Sequence, residues 1–150
     1  MIKELSKDFV GLIFKDYPTL EELNLSSNGK PIRITKQFPV EIEVVQNLDV
    51  FSKTLTQLNL SGNQISSLVQ QNPPIGINNM VGVSLLVNLT ELNLSNNRII
   101  VLDGLESLAA LAKLDVSKNL ISSVTEVAKL GVNKELKQLS LAGNPIANRR

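Results

Sequence analysis

Leu89-Thr90-Glu91-Leu92-Asn93-Leu94-Ser95-Asn96-Asn97-Arg98-Ile99 is the stretch that decides the fold, because its pattern returns at fixed offsets along the chain. With Leu89 as position one, apolar residues stand at positions one, four, six and eleven, and Asn at nine. The offsets recur in Leu20, Leu23, Leu25 and Asn28, and in Leu55, Leu58, Leu60, Asn63 and Ile65. They recur again in Leu111, Leu114, Val116, Asn119 and Ile121, and in Leu136, Leu139, Leu141, Asn144 and Ile146. Only the first copy departs, with Lys30 at position eleven. Positions four and six alternate with polar neighbours, as in Glu22-Leu23-Asn24-Leu25-Ser26, which is the period of a strand with one buried face. One copy cannot bury its leucines alone, but stacked copies form a parallel sheet with a continuous core behind it. At ~4.8 Å between strands, the stack is about 20 to 25 Å long.

The Asn at position nine follows the strand at a turn, where its amide can donate to and accept from backbone groups that the turn leaves unpaired. Asn28, Asn63, Asn97, Asn119 and Asn144 are therefore read as structural rather than as a ligand site. Their spacings of 35, 34, 22 and 25 put about a dozen extra residues into each of the first two intervals.

Over residues 20 to 146 the pattern resembles the leucine-rich-repeat family. The resemblance implies an α/β solenoid of about five coils: a short parallel sheet on the concave face, helices and irregular insertions on the convex face, and a buried asparagine ladder. Leu102 to Leu108 and Leu141 to Ile146 resemble the intracellular subclass typified by the regulatory subunit of protein phosphatase 1. In this family partners usually lie across the concave sheet, which points to positions three, five, seven and eight, and there to Glu22, Asn24, Gln57, Asn59, Glu91, Asn93, Lys113, Asp115 and Gln138 as contact residues. That face is polar and mixed in charge, with no Trp, Tyr or Arg anchor. Arg98 and Ile100, and the loop around Pro73-Pro74, are the alternatives.

The chain reads as one domain, with an N-terminal cap over 1–17 and repeats over 18–150. Ile2, Leu5, Phe9, Leu12 and Ile13 are spaced as on a helix ending before Tyr17-Pro18, expected to cover the open end of the first coil. In the first insertion, 31–53, Ile32 and Ile34 alternate and so do Val40, Ile42 and Val44, predicting a strand-like detour and then a helical return. The second, 70–87, opens with Pro73-Pro74, which imposes an extended, non-helical stretch. After Ile146 only Ala147, Asn148, Arg149 and Arg150 follow. The expectation is that the natural chain continues, this being the N-terminal part of a longer protein, or that the open end packs against a partner or a second copy.

Composition narrows the function. With no His and no Cys, imidazole and thiol chemistry, disulfides and zinc, haem or iron–sulfur ligation are excluded. The absence of Cys favours a reducing, intracellular and cytoplasmic setting. Lys and Arg number 15 against 14 Asp and Glu, so nucleic acid and anionic membranes are disfavoured partners. Gly29-Lys30 lacks the flanking residues of a phosphate loop. Glu21 with Glu22, and Glu41 with Glu43, are sequence neighbours and not an acid and base flanking a substrate. Asn24, Asn59, Asn88 and Asn93 begin glycosylation tripeptides, three of them on expected strands, which also argues against secretion. The reading is a non-catalytic protein–protein interaction module, needing no cofactor or metal. The rival is an accessory recognition domain of a larger enzyme or RNA-associated protein.

Overall fold

Five three-residue strands form a parallel sheet in chain order: β2 (Glu22–Asn24), β4 (Gln57–Asn59), β5 (Glu91–Asn93), β6 (Lys113–Asp115) and β7 (Gln138–Ser140). The computed structural model describes residues 2–4, 10, 11, 15, 16, 19–26, 40–44, 48–66, 68 and 83–148. The strand register is the one the repeat dictates. Leu23, Leu58, Leu92, Leu114 and Leu139 are successive partners, with position three on one side of them and position five on the other. Leu92 and Leu114 are each 2% exposed, whereas Leu139 on the last strand is 39% exposed.

The third coil's return behind the sheet is built on a three-residue period. Leu102, Leu105, Leu108, Leu111 and Leu114 are all buried. The Leu105, Leu108 and Leu111 amides donate to the residue three back at 3.1 to 3.2 Å. Such i to i+3 bonds and stacked side chains define a 3-10 helix, which is what forms at Leu105–Ser107. Leu48–Phe51, Val83–Leu85 and Leu130–Val132 are 3-10 helices too. An α-helix, Val124–Lys129, occurs where the Asn-to-Asn interval is 25 residues instead of 22, enough extra chain for a wider turn. Ser123 caps it, its hydroxyl accepting from the Thr125 amide at 3.2 Å. In the last return Asn133 stands where Leu86 and Leu108 stand earlier, and donates to the Leu105 and Leu108 carbonyls at 2.9 and 3.0 Å.

The asparagine ladder is present at four positions. The Asn97 side-chain amide donates to the Leu60 carbonyl of the preceding coil and to Leu94 of its own, both at 3.0 Å, while its oxygen accepts from the Ile65 amide at 3.1 Å. Asn119 and Asn144 repeat these bonds one and two coils on. Asn63 donates to Leu25 and Leu60. Asn28, Pro73-Pro74 and most of the second insertion lie outside the described residues.

The N-terminal segment corrects one expectation. Ile2–Glu4 is a strand, β1, paired in parallel with β3 (Val40–Val44), and not the first turn of a helix over 2–14. The extended run of the first insertion supplies backbone partners to that segment, which apolar spacing within it cannot reveal. Helical backbone occurs at 10–11 and 15–16, and Val10 is buried in the core. In the first insertion β3 matches the alternation of Val40, Ile42 and Val44, and Leu48–Phe51 the expected helical return, while Ile32 and Ile34 lie outside the described residues.

A convex-side ion cluster ties the third coil to the fourth. Lys129 bridges Asp103 and Glu126, the latter at 2.8 Å, and Glu126 also accepts from the Leu102 amide at 2.9 Å. The Lys129 hydrogen bond, then that amide, hold the Glu126 carboxyl below its usual range, and the two acids push Lys129 up to about 12. A depressed carboxyl favours the folded state above its unfolded pKa, and that contribution is lost as pH falls through the folded value. The urea midpoint of the wild type should therefore exceed that of Glu126→Gln at neutral pH, and the gap should close as the solution is acidified below about 4.5. Leu92→Ala, deep in the core, should cost ~2 to 5 kcal/mol in the same measurement. Glu91→Ala, on the face of the same strand, should cost no more than about 0.5.

Candidate functional site: the concave face and its turn edge

The strand register gathers all nine sequence-predicted residues onto one face in two rows. Glu22, Gln57, Glu91, Lys113 and Gln138 make the row at position three, and Asn24, Asn59, Asn93 and Asp115 the row at position five. All nine are exposed or half-exposed. Lys113 and Glu91 meet across neighbouring strands at 2.7 Å, 50% and 40% exposed, an ion pair weakened by solvent and worth little to stability.

The two rows are not equivalent. Asn24, Asn59 and Asn93 each use their side-chain oxygen to accept from the amide two residues on, at 3.0 Å, and Asp115 does the same at 2.9 Å. These side chains close the turn that ends each strand, which leaves the Asn amide groups and the second Asp115 oxygen for other contacts. The signal was in the sequence: Asn24-Leu25-Ser26, Asn59-Leu60-Ser61, Asn93-Leu94-Ser95 and Asp115-Val116-Ser117 all place the side-chain acceptor two residues before Ser. The same three Asn tripeptides are the glycosylation patterns on strands, so turn closure accounts for their recurrence. Row three carries no such structural duty.

Around the turn of the second to fifth coils, Asn at position nine is buried and Ile at eleven buried or half-buried, whereas positions eight, ten and twelve are exposed or half-exposed. Position eight is left-handed in the second to fifth coils: Gly62 at φ 74°, Asn96 at 56°, Lys118 at 52° and Gly143 at 73°. Gly and Asn tolerate that region, whereas Lys does not favour it. Arg98 and Ile100, the alternative contact residues, are exposed on this edge. Among the described residues, no group of three or more acidic side chains could hold a metal ion. Lys118→Asn should leave the denaturation midpoint unchanged or raise stability by up to about 0.5 kcal/mol, and Lys118→Val should cost about 1 to 2, because a β-branched side chain clashes most in the left-handed region.

Family models described as leucine-rich repeats match residues 87–129 in two copies, and 18–29 and 51–67 singly. The chain is 40% identical over 70 residues to leucine-rich repeat-containing protein 23 of Xenopus tropicalis; the match takes in 46% of this chain and 20% of that protein's length. Among solved structures it is similar to an internalin C2 of Listeria monocytogenes, at 28% identity and TM-score 0.56, over 73% of this chain and 44% of that one. A chain of the SNF/U2A′ complex of Drosophila melanogaster aligns with 99% of this chain and 74% of its own length, with TM-score 0.64 and 21% identity, a likeness of fold alone. The chain thus spans a fifth of the curated relative it matches. The fold is a leucine-rich-repeat solenoid, and the repeat matches and the relative support the leucine-rich-repeat family for this chain.

Proposed function

We propose that the chain is a non-catalytic protein–protein interaction module, a scaffold or adaptor that receives a protein partner on its concave face. Leucine-rich repeats generally mediate protein–protein interaction, which supports the reading at family level. The observation that carries it for this chain is the in-register row Glu22, Gln57, Glu91, Lys113, Gln138, held by a rigid sheet while the neighbouring row closes the turns. A preformed surface loses little conformational freedom on binding. Flexible, mixed-charge side chains without a large anchor suit a modest affinity raised by avidity. The half-exposed Leu139 and Leu141 of the last coil offer a further contact surface.

An intracellular setting, including the cytoplasm, belongs to the same proposal. It rests on the absence of Cys and on Asn24, Asn59 and Asn93, where a sugar would stand on the concave sheet itself. Among the described residues no helix is long and apolar enough to cross a membrane. The short return at Leu105–Ser107 and the run Leu141 to Ile146 are the grounds for likening the chain to the intracellular subclass of the phosphatase regulatory type.

The test is affinity capture from cell lysate with the wild type beside Gln57→Arg/Glu91→Arg/Gln138→Arg, substitutions that leave the turn-closing row intact. Proteins retained by the wild type and lost by the variant are the expected result. An identical captured set from both would remove the concave face as the site.

A further inference from the structure

Positions eight, ten and twelve of the second to fifth coils place twelve residues along the turn edge, all exposed or half-exposed, and none is a carboxylate. Two are cations, Arg98 and Lys118, both exposed. Among the described residues neither has an ion-pair partner, because Asp103 and Glu126, further along the same coils, are held by Lys129. On the same edge stand two exposed aliphatic side chains, Ile100 at 53% and Leu120 at 48% exposure. The Leu120 amide donates to the Ile99 carbonyl at 2.9 Å, which sets Leu120 alongside Arg98 and Ile100. The Lys118 amide donates to Ala142 at 2.7 Å, and its stem lies 3.1 Å from where a side chain on Gly143 would begin. Lys118 is thus laid along the edge, in a left-handed conformation that the equivalent positions give to Gly or Asn.

We propose that Arg98, Ile100, Lys118 and Leu120 form a docking surface for a short acidic–apolar segment of a partner protein. The partner's carboxylates pair with the two cations, and an apolar side chain covers the Ile100–Leu120 pair. The proposal rests on reading the chain as a protein-binding module but places this contact on the turn edge instead of the concave rows. Charge complementarity selects the occupant: two unpaired cations with no acid among them favour an acidic segment, and the aliphatic pair requires an apolar residue beside it. Single-stranded nucleic acid would call for aromatic stacking and a longer run of cations, and this edge has neither. Exposed ion pairs are screened, so binding must weaken as salt rises.

A phage-displayed library of random dodecapeptides is selected on the full chain, and the strongest peptide is synthesised with a fluorescent label and titrated by anisotropy. Selected peptides should be enriched in Asp and Glu flanking an apolar residue. Arg98→Gln/Lys118→Asn and, separately, Ile100→Ser/Leu120→Ser should each raise Kd about tenfold. Glu91→Arg/Gln138→Arg should stay within about twofold, with every variant melting like the wild type. Peptides without acidic enrichment, or a Kd that responds to the concave variant alone, would overturn this site while leaving the module reading intact. An empty selection overturns the site as well, and the lysate capture then decides the module reading separately. A labelled oligouridylate that binds as well as the peptide, and is weakened by the charge variant only, would replace the protein segment with nucleic acid.

Discussion

The side-chain amide of the ninth residue is the interaction on which the stack depends. A chain that turns sharply behind a three-residue strand buries carbonyls and amides that neither the strand nor the return can bond. Leaving such groups unpaired costs about 1 to 3 kcal/mol each. Asn97, Asn119 and Asn144 answer both needs, donating to carbonyls in their own and the preceding coil and accepting the amide of the preceding coil's eleventh residue. Register follows, since an amide that must reach two coils admits one alignment between them.

That alignment divides the surface into regions of different duty. Within the turn, asparagine and isoleucine point inward, so the residues between them point outward and are released from packing. On the sheet, the fifth residue closes the turn, while the third has no part in it and its one cross-strand ion pair, Glu91 with Lys113, is exposed. Binding capacity on such a scaffold therefore lies in rows running across the coils, and each row samples four or five independent residues held about one strand spacing apart.

Much of this was legible in the sequence because the repeat is strict. Strand register, the row memberships and the ladder asparagines all follow from the offsets of Leu92, Asn93 and Asn97 and their counterparts. The 3-10 character of the returns was present in the three-residue spacing of Leu102, Leu105 and Leu108, but a short leucine-rich run reads equally as α-helix until its hydrogen bonds are known. The pairing of Ile2–Glu4 with Val40–Val44 joins segments far apart in sequence, outside the repeat, and no periodicity reports it. Asn93 looked like a free concave side chain because its alternation with Leu92 and Leu94 places it on the face, while its bond to the Ser95 amide depends on the turn beyond the strand. The left-handed backbone of Lys118 was hidden for a related reason: Gly and Asn announce such a site, and lysine does not.

The ladder has a direction. Each asparagine reaches back to the coil before it, so a coil's eleventh amide acquires its side-chain partner, and its sixth carbonyl a second asparagine donor, only from the coil that follows. The Ile99 amide waits on Asn119 and the Ile121 amide on Asn144, while Leu94 and Val116 gain from them a second donor beside the asparagine of their own coil. During synthesis, which delivers the N-terminal coils first, the newest coil therefore lacks these bonds until another 22 to 35 residues have emerged. Each coil of the ladder is thus completed by the asparagine of the next.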